Sequence, residues 1–231
     1  MNRKQMQHYA GCLLVALACA HAVPTPASAA DVRIACIGDS ITFGAGVENA
    51  AVNAYPVVLD RLLGTGFEVR NFGVSGATLL RKGDLPYWSR GEFRAATNYN
   101  PNIVIIKLGT NDSKPQNWQF KQDFAPNLRE MVDLFSNLPS KPRVWLCLPV
   151  PAYAVQFGIR PEVIQFETLS LIQQVATEKQ CPVIDLFSAL SHRPDLFPDQ
   201  IHPNAAGAAL MARSIHAALV AGGLPPGPTA P

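Results

Sequence analysis

The 231 residues suffice for one domain of ordinary size, large enough to bury its own core without a framework of disulfides or metals. At 48% hydrophobic and 16% charged, the chain is too apolar and too sparsely charged for intrinsic disorder. Setting aside Arg3 and Lys4, which belong to an N-terminal leader, Lys and Arg balance Asp and Glu at 17 each. Such neutrality provides no electrostatic pull toward nucleic acid or an anionic membrane.

The leader comes first. Arg3 and Lys4 precede an apolar run from 10 to 20, then Pro24, Pro26 and the small residues Ala27, Ser28 and Ala29. That is the order of a secretory signal peptide, predicted over 1–30 with cleavage after Ala29 or Ala30. The run is about eleven residues, short of the ~20 that span a bilayer, so the chain is expected to be secreted or periplasmic with no stable membrane insertion. A lipoprotein signal ending at Cys19 fits less well, because Ala16 stands where a bulky aliphatic is expected. Cys12 and Cys19 leave with the leader. Cys36, Cys147 and Cys181 cannot all pair and are expected as buried, unreactive thiols. No spacing resembles a zinc or iron-sulfur site, so no metal is expected.

The remaining chain reads as one domain over 31–221 and a Gly, Pro and Thr-rich tail over 222–231. Short apolar runs at 32–37, 67–72, 103–108, 144–150 and 183–186 predict five strands. Between them lie helical patterns. Pro56 and Pro161 open two helices, and Pro126 stands at the start of a third. Leu128, Met131, Val132 and Phe135 form an i, i+3, i+4, i+7 stripe, and Val163, Phe166, Ile172, Val175 and Ala176 a second. A last helix is predicted over 204–220, capped by Asn204. Alternating strands and helices predict an α/β fold, a three-layer α/β/α sandwich around a five-stranded parallel sheet.

Ligands of an open parallel sheet bind outside the carboxyl ends of the strands. Gly38-Asp39-Ser40 follows the first strand, Asn71 to Gly76 the second, and Gly109-Thr110-Asn111-Asp112 the third, so all three emerge on one rim. A serine hydroxyl needs a base, and the base needs a partner that fixes its tautomer. His202 has Asp199 three residues before it and is the candidate base. His192, with Asp195 three residues later, competes; His216 reads as a residue on an apolar helix. Three donors could face a developing oxyanion: the Ser40 N–H, the Gly76 N–H and the Asn111 amide.

Together GDSIT at 38–42, NFGVSG at 71–76, GTND at 109–112 and DQIHPN at 199–204 resemble the four blocks of the GDSL/SGNH hydrolase superfamily, in order and at the usual spacing. The resemblance spans the mature domain. It implies a flavodoxin-like sandwich, Ser40 as nucleophile, His202 as base, Asp199 as its orienting acid, and an oxyanion hole made by Ser40, Gly76 and Asn111, with no cofactor. The G-x-S-x-G elbow of α/β-hydrolases and the glycine-rich nucleotide-binding motifs are absent from the sequence.

Tyr87, Trp88 and Trp118, edged by Lys82, Lys114, Gln116 and Asn117, lie in rim loops and could stack on and bond a sugar ring; Tyr87, Trp88, Trp118 and Asn117 are the substrate-binding candidates. KLGTNDSKPQNW, CLPVP and FPDQIHPNAAG also resemble secreted bacterial carbohydrate O-acetylesterases, including xylan and sialate deacetylases. That likeness implies deacetylation of an acetylated glycan, and the chain is expected to be a monomer acting on a small-molecule or glycan ester. The alternatives are a lysophospholipase, arylesterase or thioesterase of the same superfamily, and a non-catalytic glycan-binding module. No long apolar lid or amphipathic surface helix speaks for aggregated lipid.

Overall fold

The computed structural model describes residues 32–224. The predicted leader, with its cleavage point and Cys19, lies outside the described residues, as does the tail from 225. Five described strands form one parallel sheet: β1 Val32–Gly38, β2 Phe67–Gly73, β3 Ile103–Lys107, β4 Arg143–Leu148 and β5 Val183–Asp185, in the order β2-β1-β3-β4-β5. Register is continuous at the centre, where Cys36 pairs with both Asn71 and Ile105, and Gly38 with both Gly73 and Lys107.

The alternation of side chains along each strand splits the core in two. Ala35, Ile37, Val104, Ile106, Leu146 and Leu148 face one layer of helices; Ile34, Cys36, Ile103, Ile105, Trp145, Cys147 and Ile184 face the other. Three short helices follow β1 or precede β2: α1 Ser40–Phe43, α2 Ala50–Asn53 and α3 Tyr55–Leu63. Then come α4 Gly91–Tyr99, α5 Pro115–Trp118 and α6 Phe124–Ser136. The last four are α7 Pro161–Val163, α8 Leu169–Lys179, α9 Leu186–Leu190 and α10 Ala205–Ala221. Helices α4, α6 and α8 cover the first face, α3, α9 and α10 the second. The architecture is the expected three-layer sandwich.

Local signals behave as their chemistry requires. Leu128, Met131, Val132 and Phe135 are all buried along α6, and Pro126 falls in its first turn, where a missing N–H costs no helical bond. Asn204 caps α10 by accepting the Gly207 N–H at 3.0 Å. The second stripe is corrected at one position. Phe166 is 70% exposed, because a π-helical turn over Ile164–Thr168 joins α7 to α8 and shifts the phase of the face. The start of the predicted tail is tied down: Arg143 donates to the Gly222 carbonyl at 2.5 Å, and the Leu224 N–H to Leu219 at 3.0 Å. Cys36 and Cys147 are buried, but Cys181 is only partly so. Burial pushes the Cys147 thiol up to about 12 and raises the other two.

The sheet order places the topological switch between β1 and β3, so the loops leaving those strands flank a crevice. No helix among the described residues is long and apolar enough to cross a membrane.

Candidate active site

Glycine is required where β1 ends. A Cβ on Gly38 would lie 2.1 Å from Thr42 Oγ1 and 2.6 Å from the Lys107 carbonyl oxygen. The chain then turns into α1, whose cap is Asp39: Oδ1 accepts the Ile41 N–H at 3.0 Å. Ser40 is the first helical residue and is 8% exposed, opening on the crevice. The last residues of β2 seat the other end of α1. Asn71 Nδ2 donates to the Thr42 carbonyl at 2.7 Å, while a Cβ on Gly73 would strike the Phe43 nitrogen at 2.2 Å.

His202 arrives from the far end of the chain. Its Nε2 lies 2.9 Å from Ser40 Oγ, across 162 residues of sequence, and its Nδ1 lies 2.6 Å from Asp199 Oδ2. Asp199 Oδ1 accepts the N–H groups of Ile201 at 3.0 Å and His202 at 2.6 Å, which locks the loop around the carboxylate. Burial raises the Asp199 carboxyl, but these N–H donors and the His202 ring outweigh it and hold the group below the usual carboxylate value. Gly46 permits the approach, since a Cβ there would lie 2.7 Å from His202 Cβ. Neither competing histidine joins the serine. His192 is exposed beside Tyr153 and Phe187, and His216 sits half-buried on α10.

Ser40, Gly76, Asn111 and His202 line one open cleft of about 240 Å³, with Lys114 and Phe157 on its walls. Gly76 has φ +83°, a conformation that suits glycine and lets its backbone face the cleft closely. Asn111 is buried and donates one amide hydrogen to the Ala77 carbonyl at 3.1 Å, which fixes the plane of the amide. Its neighbour Asp112 accepts the N–H groups of Leu79 at 3.1 Å and Leu80 at 2.7 Å, joining the second and third blocks. Burial drives the Asp112 carboxyl up to about 7 against the pull of those backbone donors. A larger, shallower depression of about 630 Å³ lies by Arg143, Gln173 and Pro182, and it brings no nucleophile to a base.

The substrate-binding expectations for the rim loops need correction. Tyr87 is fully buried and donates its hydroxyl to the Phe72 carbonyl at 2.7 Å. Trp118 is buried against Phe124, and Asn117 is buried and bridges Asp84 to the Asn111 carbonyl. Trp88 donates to the Leu79 carbonyl and carries the Arg81 guanidinium 3.7 Å above its ring. These side chains brace the loops behind the cleft and offer it no open face.

One group escaped the sequence reading. Lys107, at the end of β3, is wholly buried. Its ammonium spans both Asp39 carboxylate oxygens at 3.0 Å and Thr110 Oγ1 at 2.9 Å. All three of its protons are thus used directly beneath the serine. The signal was present: a lysine inside the apolar run IVIIKLG demands a buried acid.

The chain is 38% identical over 215 residues to an acetylxylan esterase of Xylanibacter ruminicola, covering 85% of this chain and 45% of that protein, so it spans less than half of that relative's length. Among solved structures, an aryl esterase of M. smegmatis superposes with TM-score 0.68 at 25% identity, covering 84% of this chain and all of that one. An acetylxylan esterase of Geobacillus stearothermophilus has the same fold, with TM-score 0.64 at 19% identity, covering 86% of this chain and 97% of that one. Residues 36–210, from the last turn of β1 through the four blocks into α10, match the GDSL-like lipase/acylhydrolase family, and the chain belongs to it.

Proposed function

We propose that this protein is an exported, monomeric serine esterase that removes acetyl groups from carbohydrates through an acyl-enzyme intermediate, without metal or organic cofactor. The observation that carries the reading is the hydrogen-bond chain from Ser40 through His202 to Asp199, opening on the cleft that holds Gly76 and Asn111. His202 Nε2 takes the Ser40 proton as Oγ attacks the acetyl carbonyl, and Asp199 holds the imidazole in the tautomer that leaves Nε2 free to accept. The carbonyl oxygen gains charge among the Ser40 N–H, the Gly76 N–H and the Asn111 amide. His202 returns the proton to the departing sugar oxygen, and water then repeats the sequence on the acyl-serine to release acetate.

A cleft of about 240 Å³ suits a short acyl group better than a long chain. The acetylxylan esterase relative supports a carbohydrate acceptor, and the apolar leader after Arg3 and Lys4 supports export. The test is Ser40→Ala, assayed by acetate release from acetylated xylan and from a simple acetate ester. Activity should fall by about 10⁴-fold or more with the fold intact. Retention of more than a few per cent of turnover rejects Ser40 as nucleophile.

A further inference from the structure

In acyl transfer the departing alcohol takes its proton from the general acid, so the acceptor must lie on the His202 side of the cleft. Of the aromatics expected to receive a sugar, Tyr87 and Trp118 are buried and Trp88 is partly buried under Arg81, and none lines the cleft. Phe157 stands where the acceptor must go. The residue is 57% exposed and lines the Ser40 cleft, and its ring centre lies 5.8 Å from that of His202, tilted by 48°.

The backbone that presents this ring is unusual. Gln156 and Ile159 form an antiparallel bridge closed by Ile159 N–H to the Gln156 carbonyl at 2.9 Å, so Phe157 and Gly158 are the two central residues of a tight hairpin. Their φ angles are +53° and +78°, the type I′ combination that favours Asn-Gly. A bulky aromatic at the first position, with its ring largely in solvent, works against both backbone preference and burial. Such an outlier persists where the surroundings over-determine it, and it points to use.

The surroundings do hold it. Ile159 is buried with Ile164 and with Ile201, the neighbour of His202, so the turn and the histidine loop share one apolar footing. Arg160 donates its backbone N–H to Ser113 Oγ at 3.1 Å and its Nε to the Ser113 carbonyl at 2.7 Å, which ties the turn to the loop that carries Asn111. Under the tip, the aliphatic stem of Lys114 comes within 3.6 Å of where a Gly158 Cβ would be. The C-terminal side of the turn is anchored through Ile159 and Arg160, and the exposed Phe157 lines the opening.

We propose that Phe157 is the specificity-determining platform for the acceptor, its exposed face stacking on the apolar face of the sugar ring whose ester oxygen departs from His202. This rests on the carbohydrate deacetylase reading above and adds the residue that would recognise the sugar. A sugar ring presents C–H groups on one face, which an aromatic face covers while the hydroxyls at the edge stay in water. The platform would act mainly through KM, because it touches the acceptor and none of the atoms whose charge changes.

The test compares the native protein, Phe157→Asn and Phe157→Trp on acetylated xylotriose, phenyl acetate and ethyl acetate, with thermal midpoint and sedimentation recorded. Asn is favoured at this turn position, so Phe157→Asn should keep or raise the midpoint. Its kcat/KM on acetylated xylotriose should fall about 5- to 10-fold, mostly through KM, with ethyl acetate changed less than about twofold; Phe157→Trp should restore the oligosaccharide rate. The proposal is overturned if Phe157→Asn matches the native protein on the oligosaccharide, or loses equally on ethyl acetate, which would make the ring a support for His202. A loss confined to phenyl acetate, or altered sedimentation with an unchanged oligosaccharide KM, also overturns it. If the native protein hydrolyses ethyl acetate but releases no acetate from the oligosaccharide, the deacetylase reading itself fails, and the platform fails with it.

Discussion

The two sides of the cleft are built on opposite plans. Beneath Ser40 and Asn111 the supports are buried polar groups: Asp39, Lys107, Thr110, Asp112 and Asn117 are all at most 2% exposed and hydrogen-bonded to one another or to backbone. Around His202 the polar support is the single, half-buried Asp199 carboxylate, and the rest is apolar, the cluster of Ile159, Ile164 and Ile201, topped by an exposed aromatic. The difference matches the work of each side. Oxyanion donors must be aimed before charge develops, and buried, charge-assisted hydrogen bonds fix direction as apolar contacts cannot. In the proposed reaction the acceptor side meets a sugar, for which one carboxylate to hold the histidine, an apolar footing and a flat face are the matching supports.

The contrast is broken most severely at Lys107. Lys107→Met leaves the Asp39 carboxylate buried and unpaired and should cost about 3–5 kcal/mol of stability. Adding Asp39→Asn should recover part of that loss, since the uncompensated charge is then gone. Denaturant titration of the single and double variants measures both effects; a single variant as stable as the native chain would show that the pair supports nothing.

Next in size is Asn111. Its amide is already oriented by the Ala77 carbonyl, so Asn111→Ala should lower kcat by about 10²- to 10³-fold with little change in KM. Steady-state kinetics separates this from a binding effect, because a rise in KM at constant kcat would place Asn111 in ground-state binding.

The smallest effect sharpens the other side. Asp199 is held below its ordinary value of 3.8, so it contributes stability that is present above that value and lost as pH falls through the lower folded one. The stability deficit of Asp199→Asn should therefore be full near neutrality and shrink only on acidification below about 3.8. Thermal midpoints measured down the acid range check the sign. A deficit that grows on acidification contradicts it.

The two sides were also unequally legible. Strand placement, the α10 cap and the gathering of Ser40, Gly76 and Asn111 on one rim follow from periodicity, turn chemistry and the rule that ligands sit at the carboxyl ends of parallel strands, whereas His202 stood out from His192 only through the family resemblance. Phe166 was misplaced because a π-helical turn adds phase that no residue spacing announces. Lys107 was visible as a charge in an apolar strand, yet its partner Asp39 lies 68 residues away and was hidden in a motif already given another meaning. The aromatics were misjudged for a related reason: Tyr87, Trp88 and Trp118 lie in the rim connections between strands and helices, as does the overlooked Phe157, and composition treats their rings alike.

From residue order alone came the alternation of strands and helices, the parallel sheet and the set of groups that could do acyl transfer, because each depends on spacing along the chain and on the chemistry of single side chains. Only the tertiary structure decided which ring faces the cleft, which acid neutralises a buried lysine and which histidine reaches the serine. Burial and hydrogen-bond partnership belong to pairs of groups, and in this protein the deciding partners come from distant parts of the chain.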